Sequence, residues 1–325
     1  MLIDILAIIA GFALLVWGAD NFVNGAAGIA RNFGISPLLI GLTIVGFGTS
    51  APEILVSTMA VFNGNPGLSI GNALGSNITN IALILGATAL IAPLSVQSDT
   101  LHREYPILLL VSFGTAALML DQNLNTLDGL LLLAALIAVL IWVVRLGLQR
   151  KTDDPITQEI ENELPDPMPT SKASLLFALG LIVLLGSSKL LVWGAVNIAT
   201  LFGVSDLVIG LTIVAIGTSL PELAASIASA LKNEHDLAIG NIIGSNIYNL
   251  LAVLSIPALF APGTFMIEAL LRDLPIMLGL TVALFFMGYS FKNNEGHITR
   301  LEGSVLLVAF ISYQSWLFLD ATGVI

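Results

Sequence analysis

Two glutamates stand where carboxylates are costly. Glu53 and Glu222 lie in apolar stretches, and each closes the same frame, GTSxPE: Gly48, Thr49, Ser50, Pro52, Glu53 and Gly217, Thr218, Ser219, Pro221, Glu222. A second polar frame follows each one, GNALGSNITN at 71–80 and GNIIGSNIYN at 240–249. An acid near the centre of a membrane span costs at least about 2.5–3.5 kcal/mol, so by default it marks a functional position. Thr49 and Glu53 are four residues apart, as are Ser76 and Asn80, and Ser245 and Asn249, so each pair shares a helix face. With the hydroxyls of Ser50, Thr218 and Ser219 they make an all-oxygen donor set. Hard cations such as Ca²⁺ and Na⁺ take oxygen ligands, about 6–8 of them for Ca²⁺. Two glutamates would balance one Ca²⁺, or hold two or more Na⁺ with the neutral oxygens completing the shells. A single Ser, Thr or Asn in a membrane helix is ordinarily interhelical glue. The equivalent placing of the two acids is what points to a site.

The frames belong to a duplication. From Gly18 to about Leu85 the chain recurs without a gap 169 residues later, so Gly41 answers to Gly210 and Glu53 to Glu222. GLTIVGFGTS at 41–50 and GLTIVAIGTS at 210–219 agree at eight of ten positions, and the GN frames at seven of ten. Apolar residues make up 56% of the chain and charged residues 10%, with a mean hydropathy of +0.96. A soluble chain carries about 25% charged residues, so most of this surface is expected to face lipid. The absence of cysteine excludes disulfides and thiolate metal sites. His102, His235 and His297 fall in polar junctions, which argues against a His-ligated metal within the spans. Of the 22 acids, six lie between Asp153 and Asp166, so the net charge of −11 is partly that of one solvated linker.

Hydropathy and helix breakers place ten spans, near 3–30, 37–61, 69–91, 105–120, 127–147, 172–200, 206–230, 238–260, 271–289 and 301–320. The first apolar run lacks a basic leader and a small-residue cleavage site, so it is taken as a span and not as a removed signal peptide. The expected organisation is a five-helix repeat over 1–147 with polar blocks 41–53 and 71–80, a Pro-containing acidic linker over 148–171, and a second five-helix repeat over 172–325 with polar blocks 210–222 and 240–249. Backbone polar groups in lipid must be satisfied within the segment, which makes the spans helical and the fold class all-α. Alternating the loops puts nine of the eleven Lys and Arg on one side, which is then cytoplasmic, with both termini outside. An odd number of spans per repeat inverts the second copy. Pro52 and Pro221 remove a backbone donor in mid-span, and Gly just before them lets the chain unwind, so the helices should break near Thr49–Ser50 and Thr218–Ser219 and free carbonyls. Discontinuous helices paired across inverted repeats are where secondary transporters bind coupling ions. Gly75 and Gly244 are expected to permit close helix approach. Asp20 and Lys189, at equivalent positions, suit an ion pair or a surface role. Glu104, Glu268, Arg272 and Asp273, at span ends, suit a solvated face.

The two GTSxPE and GNxxGSNIxN frames, set five spans apart and inverted, resemble the alpha repeats of the sodium/calcium exchangers in the cation/calcium exchanger superfamily, most closely the prokaryotic type. The resemblance covers nearly the whole chain. It implies a ten-helix exchanger in which Glu53 and Glu222 bind Ca²⁺ and Na⁺ alternately. It further implies carbonyls and hydroxyls from Thr49 and Thr218, hydroxyls from Ser76 and Ser245, and carbonyls from Gly46 and Ala215, with the first and sixth spans sliding across the rest. One position departs: the pattern pairs an Asn in the first repeat with an Asp in the second, whereas this chain has Asn80 and Asn249. The site thus carries two acids instead of three, which leaves the driving ion open between Na⁺ and H⁺.

The leading expectation is a plasma (inner) membrane antiporter exchanging Na⁺ for Ca²⁺. H⁺/Ca²⁺ exchange is the nearest rival and a cation channel a more distant one, since channels usually build selectivity rings by subunit symmetry. No nucleophile–base pair accompanies the acids, so an enzyme is not expected. Neither a cofactor nor a nucleic-acid partner is expected. The partners are the transported ions and the lipid bilayer, and a single chain should suffice for transport.

Overall fold

The computed structural model describes residues 1–33, 46–96, 99–148, 159, 166–288 and 296–321. The apolar runs fold as helices that satisfy their own backbone: α1 (Leu2–Asn32), α2 (Gly46–Thr49), α3 (Ala51–Phe62), α4 (Pro66–Ile91), α5 (Asp99–Met119), α6 (Thr126–Leu148), α7 (Thr170–Phe202), α8 (Asp206–Thr218), α9 (Leu220–Leu231), α10 (His235–Phe260), α11 (Ala269–Gly288) and α12 (Arg300–Ala321). Seven of these (α1, α4, α6, α7, α10, α11, α12) are long and apolar enough to cross a membrane, and the bent pair α8–α9 makes up to eight. The chain is therefore an all-α membrane protein. Part of the second predicted span, over 37–45, lies outside the described residues.

The helices divide into an inner and an outer set. Within their apolar windows α4 and α10 are 78% and 89% buried, against 33% for α1 and α7. Both inner helices carry the GNxxGSN frames, so the polar blocks sit at the centre. The outer helices turn apolar stripes outward, as α12 does with Leu301, Val305, Val308 and Ile311. Contiguous exposed apolar surface of this kind suits lipid and not water.

α1 and α7 lie antiparallel along a seam of glycines. Gly11, Gly18 and Gly25 recur every seven residues on α1 and meet Leu191, Leu184 and Phe177 in reverse order. A Cβ on Gly25 would stand 2.3 Å from the Phe177 backbone nitrogen, and one on Gly180 2.4 Å from that of Phe22. Only hydrogen fits at such a crossing, the small-residue packing common between membrane helices. Among the described residues there are two short antiparallel ladders: β1 (Leu94–Val96) with β4 (Gly296–Ile298), pairing Ser95 with His297, and β2 (Asn123–Leu124) with β3 (Gly263–Thr264). Each joins the two halves of the chain.

Residues 166–169 of the linker are non-helical, as their prolines require. Asn32 Nδ2 donates to the Met168 carbonyl at 3.0 Å and ties the end of α1 to the start of α7. Further up the linker, Glu159 Oε2 accepts from the Leu237 backbone N–H at 2.7 Å, at the first turn of α10. Burial, and then the charges of Asp236 and Glu234, push the Glu159 carboxyl up to about 7, against the opposing backbone bonds at Leu237 and Asp236. A raised carboxyl pKa means that the docked state holds its proton more tightly. Docking is thus favoured below the ordinary carboxyl range and weakens as pH climbs through about 7. We expect the protection of the Leu237 amide, its exchange rate relative to the unstructured rate at the same pH, to fall between pH 5 and 8 (a range of about three units around that value), and Glu159→Gln to flatten that fall.

Three of the four span-end charges are not solvated, and the fourth, Glu268, is half-buried. Glu104, Arg272 and Asp273 are buried, Asp273 completely. Arg272 Nε donates to Asp273 Oδ1 at 2.7 Å, its Nη1 bonds Asp320, and the Tyr313 hydroxyl donates to Asp273 at 2.9 Å. Charge at that depth persists only when paired. The α5 and α11 helices begin before the predicted spans do and carry these charges inward. Asp20 and Lys189 are both exposed, in keeping with a surface role.

Candidate functional site

The predicted helix breaks are present. Ser50 (φ −85°, ψ 2°) separates α2 from α3, and Ser219 (φ −85°, ψ 7°) separates α8 from α9, where the chain bends by 42°. Pro52 and Pro221 offer no N–H to the carbonyls four residues before them, at Gly48 and Gly217. The glycines themselves stay helical, so their role differs from the predicted unwinding. A Cβ on Gly217 would collide with the Phe12 ring, and one on Gly48 would come within 2.3 Å of Val23 Cγ2. They are small because α1 crosses both break points.

The two halves meet at the acids. Glu53 and Glu222 are wholly buried, and the charge of one acts on the other. Ser219, three residues before Glu222, donates to Glu53 Oε1 at 3.3 Å, and Ser245 donates to Glu222 Oε1 at 3.3 Å. Among the described residues the groups acting on the pair are hydroxyls, backbone and each other, with no cation. Asn80 Nδ2 donates to Asn246 Oδ1 at 3.0 Å, again across the repeat. Several buried polar atoms have no hydrogen-bond partner: Glu53 Oε2, Glu222 Oε2, Ser50 Oγ, Asn80 Oδ1, and both Oδ1 and Nδ2 of Asn249. Unsatisfied buried oxygens are rare and call for an explanation. A hard cation would satisfy the five oxygens among them, which are donors of the kind Ca²⁺ and Na⁺ accept, but not the Asn249 Nδ2.

Of the other predicted residues, Thr218, Ser76 and Ala215 are buried in the same region and Thr49 is half-buried. The Ala215 carbonyl accepts from Ser219 N–H at 3.2 Å and lies 3.4 Å from the Thr218 hydroxyl, so the break does not free it as expected. Gly46 opens α2. Asn80 and Asn249 fall in π-helical turns, Thr79–Leu85 and Asn249–Val253, which occupy equivalent stretches of the two repeats. Such turns concentrate at functional sites, where one extra residue per turn re-aims a side chain. Nothing in hydropathy reveals them.

The structure also adds residues that the sequence reading passed over: Asn72, Asn241, Asn246, Ser57 and Ser226. Asn72 Nδ2 donates to the Glu53 carbonyl (3.2 Å) and to Ser57 Oγ (3.0 Å). Asn241 Nδ2 donates to Ser226 Oγ at 3.4 Å. The signal was available, since both asparagines occupy the second position of the GN frames. The glycine expectation needs a correction in the same region. Gly75 is tightly packed, with Leu211 Cα 2.7 Å from a would-be Cβ, but Gly244 faces open space. The close crossing instead involves Gly71 and Gly210. Their would-be Cβ atoms come within 2.3 Å of the Leu207 carbonyl and 2.4 Å of the Leu68 carbonyl.

A membrane-embedded helical fold with two broken helices and paired buried acids defines an ion carrier. The family profile described as "Sodium/calcium exchanger protein" matches residues 3–145 and 172–319. The chain is 51% identical to the putative antiporter CaxA of Alkalimonas amylolytica over 98% of its length and 99% of that protein. It is 30% identical to the sodium/calcium exchanger MaX1 of Methanosarcina acetivorans, over 97% and 99%. Among solved structures it superimposes on the sodium-calcium exchanger NCX_Mj, soaked with 2.5 mM Na⁺ and 1 mM Sr²⁺, with a TM-score of 0.68 and 34% identity, covering 97% of this chain and 98% of that one. The chain belongs to the sodium/calcium exchanger family, and it is an antiporter of the cation/calcium exchanger class.

Proposed function

We propose that the chain exchanges Na⁺ for Ca²⁺ across the plasma (inner) membrane by alternating access. It does so as ten spans in two inverted five-helix repeats, with both termini outside and the linker cytoplasmic. Glu53 and Glu222 bind the ions competitively. Thr49, Ser50, Ser76 and Asn80, and Thr218, Ser219, Ser245 and Asn249, with the Gly46 and Ala215 carbonyls, complete the shells. The observation that carries this reading is the cross-repeat bond from Ser219 to Glu53, set among buried oxygens with no protein partner.

The physical logic is competition. An occluded pair of carboxylates with no cation is expensive, so the empty carrier resists switching, while Na⁺ or Ca²⁺ neutralises the pair and permits it. A ligand shifts a conformational equilibrium only by its differential affinity for the two states. The moving part in this account is the α1–α7 pair. Its Leu15, Ala19, Leu184 and Leu191 belong to a hydrophobic cluster separate from the main core, and its glycine seam holds the two helices as one body.

The test is Ca²⁺ uptake into proteoliposomes under imposed Na⁺, K⁺ and H⁺ gradients in turn. Uptake is expected with an outward Na⁺ gradient alone. Uptake driven by a pH gradient in Na⁺-free buffer would assign H⁺ as the coupling ion, and sustained single-channel currents would replace the carrier with a channel.

A further inference from the structure

Asn72 sits on α4 with every polar atom engaged, and its bonding admits one orientation. The Glu53 main-chain carbonyl can only accept, so the carboxamide nitrogen must face it, at 3.2 Å. The carboxamide oxygen must then face the other way, where Ser76 Oγ lies at 3.4 Å and Thr218 Oγ1 at 3.2 Å. An amide oxygen carries no proton, so a hydroxyl bonded to it donates. Thr218 has main-chain alternatives for its proton, at the Val214 carbonyl (3.1 Å) and the Ala215 carbonyl (3.4 Å), which also hold it within its own helix. In the other repeat Asn241 repeats the device, with Thr49 Oγ1 donating to its Oδ1 at 3.4 Å. Each asparagine thus reaches from its own repeat to the threonine of the other.

A hydroxyl ligates a cation through its lone pairs, and only when its proton points elsewhere. A free hydroxyl beside a carboxylate would instead aim its proton at that carboxylate, as Ser219 does toward Glu53. We propose that Asn72 and Asn241 are positioning residues. Their carboxamide oxygens hold the protons of Thr218, Ser76 and Thr49, and so turn the lone pairs of those hydroxyls toward the cation between Glu53 and Glu222. Both residues act through the hydroxyls and touch no ion themselves. The inference rests on the proposed ion site and adds to it the groups that set its ligand field.

The experiment is a double-mutant cycle read as KM against kcat for Ca²⁺ in proteoliposomes. Loss of a partner that orients a metal ligand typically costs about 10–100-fold in affinity. Asn72→Ala is expected to raise the Ca²⁺ KM by about tenfold or more while kcat changes much less. In a chain already carrying Thr218→Val and Ser76→Ala, the same Asn72→Ala should add little, because the hydroxyls it orients are gone. An undiminished additional effect in that background, or a loss of kcat with unchanged KM, overturns the proposal and assigns Asn72 to packing alone. If Asn72→Ala does not fold, the cycle of Asn241→Ala with Thr49→Val decides by the same criteria. The underlying site fails separately: transport by Glu53→Gln at the unaltered rate removes the ion site and this inference together.

Discussion

Neutralising either acid should stop exchange. Glu53→Gln and Glu222→Gln keep the side-chain shape but exchange one acceptor oxygen for an NH2 donor and remove one charge from a pair that is wholly buried, with no cation acting on it among the described residues. Removing one partner of a buried, charge-compensated set costs about 3–5 kcal/mol, or on the order of 100- to 3,000-fold in Ca²⁺ affinity at 1.4 kcal/mol per decade. At ordinary Ca²⁺ concentrations uptake into vesicles would fall to background. The settings differ, since Glu53 accepts from Ser219 of the other repeat and Glu222 from Ser245 of its own, but each acid is wholly buried with one unpartnered oxygen, so both variants should fail. Unaltered transport by either variant would remove that residue from the site.

The next largest effect is expected at the Gly71–Gly210 crossing. A would-be Cβ at either position meets main-chain carbonyl oxygen within 2.4 Å, so no rotamer change relieves it. Overpacking of this kind typically costs about 1–3 kcal/mol. Here it also forces α4 from α8, parting Asn72 from Thr218 and Glu53 from Ser219. Gly71→Val and Gly210→Val should lower the melting temperature and abolish Ca²⁺ uptake together. Gly244→Ala, facing open space, should leave the melting temperature close to that of the parent chain. Equal melting of Gly71→Val and Gly244→Ala would refute the crossing as the tight point.

Much of this was written in the residues. The duplication, the acids and the prolines all act locally or by identity, so Ser50 and Ser219 interrupt their helices where Pro52 and Pro221 require. The centrality of α4 and α10 was readable too, since their polar frames could not face lipid. What was hidden depends on three-dimensional neighbours. Hydropathy placed Arg272 and Asp273 on a solvated end because it reads each charge alone and cannot see Asp320 or Tyr313 arriving from α12. It gave Gly244 the role of Gly75 by symmetry, whereas packing around the two repeats differs. The π turns at Asn80 and Asn249 leave no mark in composition. Asn72 and Asn241 were visible as repeated letters, but their bonds join residues as distant as Thr218 and Thr49.

The central claim is that one oxygen site, shared by the two repeats, takes either Na⁺ or Ca²⁺ but not both. Calorimetric Ca²⁺ titration of the purified chain at increasing Na⁺ tests it most directly. Ca²⁺ binding should be saturable, with an apparent Kd that rises with Na⁺ while the binding capacity stays constant, and should be undetectable in Glu53→Gln. Ca²⁺ binding that is indifferent to Na⁺, or that survives in Glu53→Gln, would contradict it.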